Sequence, residues 1–215
     1  MNEQFYENLK ERIQPYFEGI NPCHDFTHTE RVYNLALQLA ELEEDVNLDI
    51  IKISALLHDI ARKEQDESKG KICHAKRGAE IAEEILKEFE IEKEIIKQIA
   101  HCIKTHRFRK GNIPESKEAM ILYDADKLDS IGGIGILRAS SFAGFNEAVV
   151  HNPDVEVNKE NCYTKENSAY HEYLFKLKKI KDKMLTQSGK KLAEGRHKFM
   201  EDFFDRVNKE VRGEI

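Results

Sequence analysis

Apolar residues recur at three- and four-residue steps along almost the whole chain, and no stretch shows the strict alternation of a half-buried strand. Only four prolines and eleven glycines punctuate that rhythm, so the pattern predicts an all-α fold. The string THTE from Thr27 matches the S/T-x-x-E capping box and precedes the periodic run VYNLALQLAEL. A helix is therefore expected to begin at about His28, with that histidine in its first turn. A second helix, about Leu48 to Arg62, carries IIKISALLHDIA and is apolar over most of its circumference, as a helix with neighbours on several sides must be. After the polar loop KEQDESKGK, HAKRGAEIAEEILKEF predicts a third helix starting near His74, and IEKEIIKQIAHCIKTH a fourth ending near His106. The loop RFRKGNIPES leads to a fifth, about Lys117 to Asp129. Glycines 132, 133 and 135 then break or tighten the chain before a short helix around Ile136 to Val149. HNPDVEVNKEN reads as a polar excursion. Two charged helices, about Glu166 to Gln187 and Lys190 to Val211, close the chain, with apolar stripes at Tyr170, Leu174, Leu177 and at Phe199, Phe203, Val207. These stripes are read as packing against the main bundle, with helical hairpins or a dimer surface equally open.

A length of 215 residues supports one domain with a sizeable core. The formal charge of −6 argues against a nucleic acid polymer or an anionic membrane as partner, so any phosphate site must be local. No run approaches the eighteen or so apolar residues of a membrane span, and MNEQFYENLK lacks the layout of a secretory signal, which predicts a soluble, cytoplasmic chain. The four cysteines are scattered and expected to stay reduced. Three adjoin a histidine (Cys23-His24, Cys73-His74, His101-Cys102), but structural zinc sites usually use Cys-x-x-Cys knuckles, and none is present.

The candidate chemistry begins at ALLHDIARK, where His58 and Asp59 sit side by side in an apolar run. Both are costly to bury. Neighbours on a helix point about a quarter-turn apart, so they can share only a point between them. A divalent cation there could take an imidazole nitrogen from one and a carboxylate oxygen from the other at roughly 2.0–2.2 Å, offsetting the desolvation of both. The bland alternative is a core histidine bonded to a backbone carbonyl beside a partly solvated aspartate. The neighbourhood favours the cation: His28 lies thirty residues before His58, and Asp126 sixty-seven residues after Asp59, in ILYDADKL, each within its own amphipathic helix.

The order His28, His58-Asp59, Asp126 resembles the H…HD…D pattern of the HD-domain superfamily of metal-dependent phosphohydrolases. FTHTERVYNLALQLA, ISALLHDIAR and YDADKLDSIGGIGILRA are similar to the small stand-alone bacterial and archaeal members over about residues 20 to 145, and the tail KKLAEGRHKFMEDFF resembles them too. The resemblance implies a single HD domain over residues 1–215, with its core at about 20–145 and a C-terminal helical extension at about 160–212. It further implies a divalent metal (Mn, Fe, Zn, Co, Ni or Mg) held by His28, His58, Asp59 and Asp126, with positions left open for water and substrate. Asp126 is selected by its A-D-K-L setting. Asp124 is expected to be a surface or capping carboxylate, whereas Asp129, three residues on, could support the site. His74 and His106 resemble the histidines that, in two-metal branches, open and close the helices after the HD helix, so they would hold a second ion or donate to phosphate. His101 is expected to be a core or surface histidine.

A phosphoryl substrate brings negative charge that needs neutralising. Arg62 and Lys63 follow His58 and Asp59 by four residues, one helical turn along the same faces, and are the preferred substrate contacts. Lys127 and Arg138 are further candidates, and Arg107, Arg109 and Lys110 could clamp an entrance. The glycines of DSIGGIGIL match no phosphate-binding loop. The expected partner is a small phosphorylated molecule, in particular a nucleotide; the oligomeric state is open, a homodimer included. The expected enzyme hydrolyses a phosphate ester or anhydride through a metal-activated water, with Asp59, Arg62 and Lys63 as the catalytic residues. No Ser or Cys nucleophile with a partnered base competes. The alternatives are a non-catalytic nucleotide- or metal-binding regulator and a two-iron, oxygen-dependent enzyme.

Overall fold

The computed structural model describes residues 1–20, 25–108 and 111–215, and among them the regular structure is helical throughout. The chain divides into two compact units, Met1–Asp126 and Lys127–Ile215.

The first unit contains α1 (Glu3–Ile13), a 3-10 turn (Gln14–Phe17), α2 (Phe26–Ala40), α3 (Leu48–Leu57), α4 (Arg62–Glu67), α5 (His74–Glu88), α6 (Lys93–Thr105) and most of α7 (Lys117–Leu128). Helix α3 packs against both α2 and α6, and α5 lies along α6. As its apolar circumference predicts, every residue of α3 from Ile53 to Leu57 is buried, with Ile50 and Ile51 before them. Asn47 starts that helix by accepting the Asp49 and Ile50 N–H groups. Helix α1 was not legible in the hydrophobic pattern, yet it buries Tyr6, Leu9 and Ile13.

Two boundaries near the expected chemistry differ from the sequence reading. Helix α2 is capped by Asp25, not Thr27: Asp25 Oδ1 accepts the His28 N–H at 3.2 Å and the Thr27 hydroxyl at 2.6 Å. The acidic side chain one turn ahead of His28 takes the cap because it can serve both donors. Nor does the second helix run to Arg62. It ends at Leu57, and His58–Ala61 form a tight turn in which Ile60 N–H bonds Leu57 O at 3.2 Å and Arg62 N–H bonds Asp59 O at 2.8 Å. These three-residue steps are 3-10 geometry, which re-aims His58 and Asp59 relative to a continuous α-helix. Ile60 and Ala61 stay buried through the turn, so the apolar run carries no mark of it.

The second unit holds α8 (Gly132–Phe145), α9 (Ala169–Phe175), 3-10 turns at Leu177–Lys179 and Lys181–Lys183, and α10 (Gln187–Val211). Helix α8 starts four residues before the expected Ile136. Gly132 holds φ +79°, and a Cβ on Gly135 would fall 2.4 Å from the Ser130 carbonyl oxygen, so both glycines permit the close turn. The expected helix at 166–187 is mostly not α-helical. In α10 the buried line is Ala193, Met200 and Phe204, whereas Phe199 and Phe203 are exposed, so the expected stripe was one residue out of phase. Phe204 stacks on Tyr173 with ring centroids 4.7 Å apart. No helix among the described residues is long and apolar enough to cross a membrane.

Candidate metal centre

Five buried side chains from four places in the first unit converge. His28 comes from the first turn of α2, and His58 and Asp59 from the tight turn after α3. His74 is the first residue of α5, and His106 caps the C-terminus of α6. Asp126, near the end of α7, reaches the same cluster with its Oδ1 3.5 Å from His28 Nε2.

Asp59 lies at the middle, and its two oxygens face different histidines. Oδ2 is 3.7 Å from His28 Nε2 and 3.9 Å from His58 Nε2; Oδ1 is 3.0 Å from His74 Nε2 and 3.7 Å from His106 Nε2. Two groups able to hold a metal ion result, His28/His58/Asp59 and Asp59/His74/His106, each with its donor atoms within 4.8 Å of one another. They share Asp59.

The protonation of the rings follows from what holds their other nitrogens. His58 Nδ1 lies 2.8 Å from Ala55 O and His106 Nδ1 2.6 Å from Ile103 O. A carbonyl only accepts, so each Nδ1 carries the proton. His74 Nδ1 lies 2.8 Å from Gln65 Oε1, an atom that Arg107 Nη1 also approaches at 2.9 Å. Arginine only donates, so that atom is the amide oxygen and His74 Nδ1 also donates to it. In their neutral form all three rings therefore turn a bare Nε2 lone pair toward Asp59. Burial pushes the His58 pKa below the usual histidine value, and it pushes His106 well below, helped by the neighbouring His74 and His58 imidazoles. Yet His74 Nε2 and His106 Nε2 stand 3.1 Å apart. Two lone pairs at that distance repel unless a cation or proton lies with both, and deprotonated imidazoles around a carboxylate are the donor set a divalent ion takes. The residues fit a metal.

Other expected residues fall differently. Asp124, expected on the surface, is fully buried, because α7 is covered nearly all round: Ile121, Leu122, Tyr123, Ala125 and Leu128 are buried as well. Lys63 Nζ donates to the Glu18 carbonyl at 3.2 Å. Arg62 opens α4 with its Nε 3.4 Å from Asp66 Oδ1, outside hydrogen-bond geometry. Because the helix is interrupted at residues 58–61, neither stands one α-helical turn beyond the His-Asp pair as expected. Lys127, Asp129 and Arg138 belong to the second unit, where Arg138 Nη1 donates to Asp129 Oδ2 at 2.9 Å and to its backbone oxygen at 3.1 Å. His101 is half-buried and accepts the Glu115 N–H at 3.1 Å. Cys73, Cys102 and Cys162 are free thiols, and among the described residues no cysteine joins a candidate metal group. Arg109, Lys110 and the Cys23-His24 pair lie outside the described residues. Gln65 was missed altogether: it sits in a string read as polar loop, and nothing in its local pattern distinguishes it from its solvated neighbours.

The HD domain profile matches residues 25–131, a span that contains all six clustered side chains. Over 212 residues the chain is 31% identical to the uncharacterized protein YpgQ of Bacillus subtilis, covering 96% of this chain and 94% of that one. The chain belongs to the HD-domain family. Among solved structures, an HD-superfamily hydrolase from Bacillus thuringiensis superposes with a TM-score of 0.77 at 28% identity, covering 98% of both chains. YpgQ in complex with ADP superposes with a TM-score of 0.72 at 29% identity, over 95% of this chain and 98% of that one. This HD domain thus combines an all-α scaffold with buried His/Asp groups that could hold a metal ion.

Proposed function

We propose that the protein is a metal-dependent phosphohydrolase that cleaves a phosphate ester or anhydride of a nucleotide. The observation that carries the reading is the pair of Nε2 atoms from His74 and His106 at 3.1 Å, aimed at the same Asp59 oxygen, beside the His28/His58 group on its other oxygen. Nucleotide as the substrate class is supported by the ADP complex of the YpgQ relative.

In this reading His28, His58, Asp59 and Asp126 would hold one divalent ion, and Asp59, His74 and His106 would hold a second. When bound, such ions lower the pKa of a coordinated water and polarise a phosphoryl oxygen. Asp59, shared between the groups, keeps both in register and orients the attacking water. The carbonyls of Ala55 and Ile103 and the Gln65 amide hold the imidazoles in the tautomer that presents Nε2. Arg62, whose buried Nε lacks a hydrogen-bond acceptor, supplies positive charge to the phosphoryl oxygens. Lys63 would join it on leaving the Glu18 carbonyl.

The test is a panel of nucleoside mono-, di- and triphosphates with Mn²⁺ and product identification. Wild-type protein should release phosphate or pyrophosphate from at least one, and Asp59→Ala should not. Binding without turnover across the panel would instead favour a regulatory nucleotide binder. Two His/Asp groups sharing one carboxylate would also suit oxygen-dependent iron chemistry, which metal analysis of the purified protein separates from hydrolysis.

A further inference from the structure

Two residues beyond His106, Phe108 is 43% exposed and its backbone sits at φ +44°. Its N–H closes the end of α6 on Thr105 O at 2.8 Å, a left-handed position that glycine or asparagine normally fills because a Cβ is strained there. A bulky ring at such a place gains little from burial. What holds it is an edge-to-face contact with Tyr123 of α7, ring centroids 5.9 Å apart and planes at 76°. Tyr123 is almost fully buried and stands one helical turn before Asp126. Phe108 therefore bridges the two helix ends that deliver His106 and Asp126 to the metal centre. Two residues of chain span at most about 7 Å, which keeps the Phe108 backbone close to that of His106. An aromatic side chain kept exposed, backbone-strained and braced from one edge, beside a cluster suited to phosphate chemistry, has a use for a planar partner.

We propose that Phe108, braced by Tyr123, is the stacking platform for the base of a nucleotide whose phosphates reach the His/Asp cluster. The inference rests on the phosphohydrolase reading and deepens it by assigning a residue to the base of the nucleotide. Phe108 acts on binding and discrimination, and no bond is made or broken at it.

The test is equilibrium titration of ADP and of inorganic pyrophosphate into the Mn²⁺-loaded full chain, scored as the ratio of the two affinities. In Phe108→Ala that ratio should fall about tenfold, the equivalent of one base–aromatic stack, and in Phe108→Trp it should return to the wild-type value. Phe108→Gly separates this from a folding role: it relieves the left-handed strain, so its thermal midpoint should match or exceed wild type while the ratio falls as in Phe108→Ala. The same ratio in wild type and Phe108→Ala overturns the proposal. If that result came with intact Mn²⁺-dependent hydrolysis, the platform alone would fail; loss of both hydrolysis and nucleotide binding in wild type would remove the phosphohydrolase reading with it.

Discussion

Replacing Gln65 by leucine removes one oxygen that serves three donors, His74 Nδ1 at 2.8 Å, Arg107 Nη1 at 2.9 Å and the His74 backbone N–H at 3.4 Å. Arg107 is only half-buried and can turn to water, but His74 is 2% exposed and cannot. An unpaired buried donor costs about 1–3 kcal/mol. Loss of a group that orients a metal-binding histidine typically lowers metal affinity about 10- to 100-fold, which corresponds to roughly 1.4–2.8 kcal/mol. The two scales agree, so on the two-ion reading Gln65→Leu should weaken Mn²⁺ binding by one to two orders of magnitude at the Asp59/His74/His106 group. The other should bind nearly as before, because His58 leans on the Ala55 backbone carbonyl, which a change at residue 65 leaves in place. Isothermal titration of Mn²⁺ into the metal-free full chain, with a thermal melt to establish folding, reads both sites. Gln65→Glu keeps an acceptor and should hold the affinity within a few-fold. Superimposable isotherms for wild type and Gln65→Leu would refute the argument that the amide oxygen sets the His74 tautomer.

Acid should destabilise the metal-free protein. His58 and His106 have folded-state pKa values below the ordinary value of about 6.5, so in that window the unfolded chain binds more protons. Stability is then fully present above about pH 6.5 and falls with acidification by about 1.4 kcal/mol per pH unit for each group until the folded rings titrate; urea midpoints that do not move between pH 7.5 and 5.5 would contradict this. Arg138→Ala removes the guanidinium that donates to the buried Asp129 carboxylate and should cost about 1–3 kcal/mol, read as a lowered unfolding midpoint. A loss under 1 kcal/mol would show that this ion pair adds little to stability.

The all-α class, the order of the helices around the site and the H…HD…D frame were legible in the sequence, because helical periodicity and a buried charged pair are local signals. A 3.6-residue rhythm needs no knowledge of its neighbours, and His58-Asp59 within an apolar run is costly wherever it folds. The end of α3 was not legible, since the apolar run continues through Ile60 and Ala61 while the hydrogen bonding changes from four-residue to three-residue steps. The phase of α10 was likewise hidden: Phe199 and Phe203 are as apolar as Met200 and Phe204, and only packing selects which line is buried.

The chain by itself determined which donors exist: imidazoles and carboxylates spaced on separate helices, in a protein too acidic for a diffuse phosphate-binding surface. Tertiary structure alone decided that Asp59 turns one oxygen to His28 and His58 and the other to His74 and His106, that a glutamine from a polar string sets the tautomer of His74, and that Asp124 goes inside while Asp126 reaches the cluster. The reason is physical: residue type and period follow from position in the chain, whereas the direction of a lone pair depends on atoms that are brought near only when distant segments pack.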